Sequence, residues 1–290
     1  MRRIRVPAVV SLHEVYAAPP DVFPRENVSG PFPIRNLKLL AYDMRHPAQT
    51  ALRRHRARAF GAAAIAVHGA CHRDILTAQG IAPERIHVIH YPFPEAPAVD
   101  RPAFDGKAPL QAGTVGFVNR SFDFDLLFDT LLAYGRPWRF TWIGGARRES
   151  DNAFVDSLRT RVSRLKLADR FSITGWVSDE ERDRLLRSLH VYCAFFRHRS
   201  SSESLAVALA ARRFVLASPQ PFIEELVSRH RALFLVPRDR LAAAAELERI
   251  AGDPQYRGAI ASAMDDCVAE LSASDAARQT MSLYRTVLGI

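Results

Sequence analysis

The sequence predicts an α/β protein of two domains, each built on a parallel β-sheet. Short apolar runs alternate with helix-length segments whose apolar residues recur every three to four positions, as expected for a sheet covered on both faces. A proline-rich stretch fits neither pattern and predicts a linker over residues 96–112. We therefore predict a reduced first domain over residues 1–95. The second domain covers residues 113–290 and ends in helices, the last of which packs back toward the first domain.

The second domain carries the clearer pattern. Its apolar runs predict strands at residues 114–118, 140–143, 171–174, 191–196, 214–217 and 233–236. Between them, helices are predicted at residues 123–134, 152–166 and 205–212, and further helices at 241–251, 254–271 and 274–287. Ser178 is the predicted N-cap of one more helix, because Glu181 follows three residues later as its capping-box partner.

The first domain shows only three convincing strands, at residues 8–12, 62–67 and 86–89. Residues 17–33 are rich in proline and predict a loop over an open site. Residues 36–59 are helix-rich and strongly basic, with arginines close together at positions 45, 53, 54, 56 and 58. Such a cluster is either a solvated face or a surface that attracts anionic lipid head groups.

Composition narrows the function classes. No uninterrupted apolar run approaches the ~18 residues of a spanning helix. Three widely spaced cysteines fit a reducing cytoplasm, and His68 and His72 lack a third ligand, so we predict no metal site. The net charge of +9 has two interpretations. It is a by-product of genomic base composition, or it serves to attract phosphates and anionic membranes. Without a recognised module, nucleic-acid binding is not predicted.

Three stretches carry a resemblance to a known family. They are Trp-Ile-Gly-Gly at 142–145, Leu-Ala-Asp-Arg-Phe-Ser-Ile-Thr-Gly-Trp-Val-Ser-Asp-Glu-Glu at 167–181, and Ser-Leu-Ala-Val-Ala-Leu-Ala-Ala-Arg-Arg-Phe-Val-Leu-Ala-Ser at 204–218. In this order they resemble the nucleotide-sugar-binding half of group 1 (family 4) glycosyltransferases. Those enzymes have two Rossmann-like domains facing across a cleft, the GT-B arrangement. The resemblance runs from about residue 9 to the C-terminus.

The resemblance implies an activity and its partners. The protein is expected to transfer a sugar from a nucleotide-diphosphate donor, with retained stereochemistry, to a glycan or lipid-linked acceptor. No cofactor or metal is expected. A role in cell-envelope polysaccharide biosynthesis is expected. The expected location is the cytoplasm, either free or in peripheral contact with the anionic inner membrane face.

The same resemblance assigns site residues. Asn119 and Arg120 follow the first strand of the second domain, where the family's Gly-Arg contacts the donor diphosphate. His13 stands where the family has a histidine near the transferred sugar, and Arg120 and His13 are the predicted catalytic residues. The turn Gly144–Gly145 and the run Gly175, Trp176 and Val177 are predicted to hold the donor, the latter through its base. Alternatively, His13 has only a structural role, Arg120 is an ordinary exposed loop arginine and Trp176 is a partly buried core aromatic.

The start of the helix at residues 202–212 is the strongest candidate phosphate site from the residues themselves. Free backbone N–H groups and the positive end of the helix dipole attract a diphosphate. Small residues there let the diphosphate approach. We therefore assign donor binding to Arg199, Ser201, Ser202, Glu203 and Ser204. The other interpretation, compatible with the first, is that Ser200 caps the helix and Glu203 completes a capping box.

Several positions depart from the family's pattern. Arg199 and Val207 stand where the family has two glutamates that contact the donor sugar and the ribose. The family's glycine loop is replaced by Pro221 and Phe222, and proline has no N–H to donate. These departures support an alternative function, a catalytically inactive glycosyltransferase-like protein that serves as a binding or assembly subunit.

Overall fold

The computed structural model describes residues 7, 9–12, 62–78, 80–94, 104, 108–197 and 199–290. The predictions for His13, the loop at 17–33, the arginine cluster at 53–58 and most of the linker lie outside these residues. The chain divides into two compact units. The first unit is Met1–Tyr91 together with Ser274–Ile290, and the second unit is Pro92–Ala273.

The strands are short and the helices are mostly two to four turns long. In chain order, the strands are β1 (Val9–Leu12), β2 (Ala64–Val67), β3 (Ile86–Val88), β4 (Leu110–Val115), β5 (Trp138–Ile143), β6 (Phe171–Ile173), β7 (Val191–Ala194), β8 (Phe214–Ala217) and β9 (Phe234–Leu235). The α-helices are α1 (Ala70–Ala78), α2 (Phe124–Ala133), α3 (Asn152–Arg164), α4 (Asp179–Ser188), α5 (Glu203–Ala210), α6 (Pro221–His230), α7 (Arg240–Gly252), α8 (Pro254–Glu270) and α9 (Ala273–Leu288).

The first unit contains a parallel sheet in the order β1-β2-β3. Because β2 is apolar throughout, both of its faces can be buried. On one face Ile65 and Val67 form a cluster with residues of α1 and β3. On the other face Ala64 and Ala66 pack against Leu283 of α9. Thus α9, which the sequence assigned to residues 113–290, lies with the first unit.

The second unit is built on a six-stranded parallel sheet in the order β6-β5-β4-β7-β8-β9. Aromatic residues dominate one part of its core. Phe140 and Phe171 stack on neighbouring strands at 4.8 Å between ring centroids. Trp142 stacks on Phe124 at 5.0 Å and meets the edge of Phe122 at 4.8 Å. These contacts join the sheet to α2 and to the loop that precedes it.

The structure confirms the α/β class and the two parallel sheets. Element ends differ from the predictions in two places. The first strand of the second unit begins at Leu110, inside the predicted linker, and ends at Val115 rather than at residue 118. Helix α6 begins at Pro221, where no helix was predicted and where we compared the sequence only with the family's glycine loop. No helix among the described residues is long and apolar enough to cross a membrane.

Candidate functional site

The strand order of the second unit locates the candidate site. Numbered within the unit, the order is 3-2-1-4-5-6, so the chain leaves in opposite directions from the neighbouring strands β4 and β7. Open α/β sheets bind ligands outside the carboxyl ends of the strands at such a switch point. The two loops there are residues 116–123, after β4, and residues 195–202, after β7. The predicted donor-binding residues Asn119, Arg120, Arg199, Ser201 and Ser202 fall on them.

Backbone hydrogen bonds join these two loops. The N–H of Asp123 donates to the carbonyl oxygen of Phe195 at 2.7 Å, and the N–H of Arg197 donates to that of Ser121 at 2.8 Å. Phe122 and Phe196 form an antiparallel bridge between these bonds. The site is therefore built on two loops that support each other.

Asn119 and Arg120 lie at the tip of the first loop and have different environments. The Asn119 side chain accepts a hydrogen bond from the N–H of Ser121 at 2.9 Å and donates to the carbonyl of Phe117 at 3.2 Å. It therefore shapes the turn. Arg120 is exposed, with its guanidinium carbon 4.7 Å from the centroid of the Phe154 ring at the start of α3. Within the described part of the chain it has no carboxylate partner, so its charge is available to an anionic ligand.

Glycines let the loops after β5 and β6 approach the loop after β4. Gly144 has a φ of +138°, and a Cβ atom there would lie 2.2 Å from the carbonyl oxygen of Gly116. The N–H of Gly175 donates to the carbonyl of Gly144 at 3.1 Å, and the N–H of Val118 donates to that of Gly145 at 2.9 Å. The turn Gly144–Gly145 therefore positions the loop that carries Arg120.

Trp176 is exposed beside the close contact of these three loops. Its side chain is 70% exposed, so the alternative interpretation as a core aromatic is wrong. The indole N–H donates to the carbonyl of Ala146 at 3.0 Å, and the ring meets that of Phe117 edge to face at 5.5 Å. Arg147 lies over Phe117 at 5.2 Å. Phe117 and Trp176 form what we call the aromatic surface, and Val177 is half-buried next to it.

The start of α5 brings hydroxyl groups to the other side of the switch point. Ser202 is the N-cap, and its hydroxyl accepts from the N–H of Leu205 at 3.2 Å. The alternative of a capping box from Ser200 to Glu203 is wrong, because Glu203 is the first helical residue. Ser204 accepts a hydrogen bond from the Tyr192 hydroxyl at 2.9 Å, and its oxygen is 3.2 Å from that of Ser202.

The sequence of this unit matches one family. Residues 113–253 match the sequence model of the family described as glycosyl transferases, group 1. The second unit is therefore similar in sequence to the group 1 glycosyltransferases. No curated protein matches the sequence.

Several solved structures share the fold of this chain. The HepE protein (Alr3699) of Anabaena in complex with UDP has a TM-score of 0.71 at 16% identity, over 97% of this chain and 72% of that one. A glycosyltransferase of Rickettsia africae has a TM-score of 0.68 at 15% identity, over 97% and 70%. The lipopolysaccharide outer core galactosyltransferase WaaB has 0.58 at 14% identity, over 75% and 60%.

Arg199 lies on the loop after β7, against the Phe196 ring. Its guanidinium carbon is 5.5 Å from the centroid of the Phe196 ring. Burial raises the pKa of Tyr192, while a hydrogen bond to Ser204 and the nearby charge of Arg199 oppose that rise. Val207, one turn further along α5 from Glu203, is half-buried and offers no side-chain acceptor to a ribose.

Sequence reasoning missed the residues that hold the loop after β7. Gln220 is buried, and its amide donates to the carbonyl oxygens of Phe196 at 3.0 Å and Arg197 at 3.3 Å. Ser218 also donates to the Phe196 carbonyl, at 3.0 Å. These contacts span more than 20 residues of chain, and no local pattern marks them. A glutamine directly before a proline at a helix start was the one local signal.

Charged residues complete the support of this loop. Asp123 caps α2 by accepting from the N–H of Leu126 at 3.2 Å and lies 3.4 Å from the guanidinium of Arg197. Arg197 also pairs with Asp125 at 2.9 Å. Arg238 donates to the carbonyls of Phe196 and Arg197 at 2.7 and 2.8 Å. Arg197 and Arg238 are therefore used in supporting the loop.

Proposed function

We propose that the protein is a glycosyltransferase that takes a sugar from a nucleotide-diphosphate donor bound at the carboxyl edge of the second sheet. The observation that carries the proposal is the match to group 1 glycosyltransferases over the sheet whose switch point carries Arg120, Arg199 and the hydroxyl groups of α5. The Anabaena neighbour of the same fold has been solved with UDP and with UDP-glucose. We therefore take a uridine nucleotide as the first donor to test.

In this proposal each part of the donor has a place in the second unit. The diphosphate lies between Arg120 and the start of α5, where backbone N–H groups and the hydroxyls of Ser202 and Ser204 face it. Arginine suits this role because its planar guanidinium can donate two parallel hydrogen bonds to phosphate oxygens. The base lies against residues 175–177, with the exposed indole of Trp176 as an apolar face.

The chemistry would be electrostatic. Negative charge develops on the diphosphate as its bond to the sugar breaks, and donors fixed in advance stabilise that charge in the transition state. Arg120 and the α5 N–H groups supply these donors. We propose transfer with retention, without a metal, and with His13 acting on the sugar.

The acceptor is proposed to be a glycan or a lipid-linked sugar in cell-envelope polysaccharide synthesis. The support is a structural neighbour that acts in this setting, the lipopolysaccharide outer core galactosyltransferase. A cytoplasmic location, with contact of the arginine cluster at residues 53–58 with an anionic membrane face, belongs to the same proposal.

A second candidate function is a binding or assembly subunit without transfer activity. Two observations favour it. Val207 cannot accept a hydrogen bond from a ribose, and α6 begins with Pro221, which has no N–H to offer a phosphate. A subunit of this kind would fold in the same way but would fail to bind nucleotide diphosphates.

Arg120→Ala should weaken the binding of a uridine diphosphate about ten- to a hundredfold, because it removes a charge-assisted hydrogen bond to phosphate worth roughly 1.5–3 kcal/mol. Isothermal titration calorimetry with uridine, guanosine, adenosine and thymidine diphosphates measures the affinity and identifies the base. Arg164→Ala is the matched control, since Arg164 is exposed at the C-terminal end of α3, away from the carboxyl edge. Equal losses in both variants would contradict the role of Arg120. If the wild-type protein binds none of the four at millimolar concentration, the subunit function is favoured.

A further inference from the structure

Three arginines of the second unit lie on or against the loop after β7, and their hydrogen-bond and ion-pair partners differ. Arg197 pairs with Asp123 and Asp125, and Arg238 is bound to two loop carbonyls. Arg199 makes no ion pair with any described residue. Its Nε atom is buried and, within the described part of the chain, has no hydrogen-bond partner.

A buried guanidinium N–H without an acceptor is costly, because the group has lost its water without gaining a replacement. Native structures pair nearly all such groups, so an unsatisfied one needs an explanation. An anionic ligand is the simplest one here, since the guanidinium has only donors and carries a permanent charge.

The backbone that carries Arg199 is held firmly in place. The Gln220 side-chain oxygen accepts from the Arg199 backbone N–H at 3.0 Å, while the Gln220 amide binds the carbonyls of Phe196 and Arg197. Gln220 is itself buried, and its bond to the Phe196 carbonyl is shielded from water. The Phe196 ring, 5.5 Å from the guanidinium carbon, limits where the side chain can lie. The cation is therefore preorganised.

A connected set of hydroxyl groups begins at Tyr192, which is close enough to Arg199 to feel its charge. The Tyr192 hydroxyl, in the field of Arg199, is bonded to Ser204, which is 3.2 Å from the Ser202 oxygen. Glu203 is the acidic residue of the first turn of α5, but it is exposed and forms no ion pair with Arg199. Hydroxyl groups beside a cation suit a ligand with two or more oxygens that share a negative charge.

We propose that Arg199, whose backbone is held by Gln220, binds an oxyanion of the donor, either one of its phosphates or a carboxylate on its sugar. The proposal rests on the proposed function for the identity of the donor. The two sources give different selectivity. A phosphate ligand makes Arg199 matter for every nucleotide diphosphate, whereas a carboxylate makes it matter only for a uronic acid donor.

The test compares the wild-type protein with Arg199→Gln, and with Arg164→Gln as the matched control, by calorimetry. The probes are UDP, UDP-glucose and UDP-glucuronate. If the ligand is a phosphate, Arg199→Gln weakens all three by tenfold or more. If it is the carboxylate, Arg199→Gln weakens UDP-glucuronate alone by tenfold or more, and the wild-type protein prefers UDP-glucuronate to UDP-glucose.

A second measurement separates this proposal from the proposed function. The Nε–H signal of Arg199 in ¹⁵N NMR spectra is identified by its loss in Arg199→Gln, and it is followed while inorganic pyrophosphate or glucuronate is added. If this signal shifts in a protein that binds no nucleotide, the oxyanion site is supported and the nucleotide-sugar function is rejected. Unchanged nucleotide affinities in Arg199→Gln, together with a signal that none of the probes moves, would overturn the oxyanion site.

Discussion

Gly144→Ala should lower the free energy of unfolding by about 3–5 kcal/mol, the largest effect we expect from adding a methyl group at a described glycine. The φ of +138° at this position strains any residue with a Cβ atom, and that atom would lie 2.2 Å from the carbonyl oxygen of Gly116. Backbone must move to relieve the clash, and the part that moves is the loop leading to Arg120. Denaturant unfolding followed by circular dichroism measures the change.

Gly258→Ala is the matched control for this substitution. Gly258 lies on the exposed face of α8, and a Cβ atom there would meet nothing within 4 Å. Because alanine favours a helix over glycine, this variant should be more stable by roughly 0.5–1 kcal/mol. A Gly144→Ala protein as stable as the wild type would show that the crossing of the loops after β4 and β5 is not as tight as described.

Trp142→Ala should lower the free energy of unfolding by about 3–5 kcal/mol, because it empties a buried site in the aromatic core. Trp142 is only 2% exposed and packs against Phe122 and Phe124. Its indole N–H also donates to the carbonyl of Gly116 at 2.9 Å, which ties the core to the loop after β4. Thermal or chemical unfolding measures the loss.

Two further variants separate packing from hydrogen bonding at this position. Trp142→Phe keeps most of the ring contacts but leaves the Gly116 carbonyl without the indole donor, and should cost about 1–2 kcal/mol. Trp176→Ala removes the same residue type from an exposed position and should cost less than about 1 kcal/mol. If Trp142→Ala and Trp176→Ala destabilise the protein equally, the aromatic core does not have the role assigned to it.

The sequence was sufficient to predict the sheet of the second unit because its strands are nearly continuous apolar runs. Val191 and Phe214 begin two such runs, and the strands that they begin pair with each other in parallel. Ser178 was also predicted correctly as an N-cap, since its hydroxyl accepts from the N–H of Glu181 at 3.2 Å. Both signals are local, so they can be read without knowledge of the fold.

Other features depend on contacts between residues far apart in the chain. The serines at residues 200, 201, 202 and 204 offer several hydroxyls that could cap a helix, and in the folded chain Ser202 is the N-cap of α5. The bonds of Gln220 to the loop after β7 span more than 20 residues. That the Nε of Arg199 has no partner among the described residues depends on the same tertiary arrangement. The sequence placed Arg199 at the donor site through its resemblance to a family, but its environment became visible only in the structure.

The crystal structure of the full chain with UDP tests the central claim most directly. We expect the diphosphate to lie at the carboxyl edge of the second sheet, between Arg120 and the Ser202 end of α5, with the uracil against residues 175–177. UDP bound elsewhere on the protein, or no bound UDP at millimolar concentration, would contradict it.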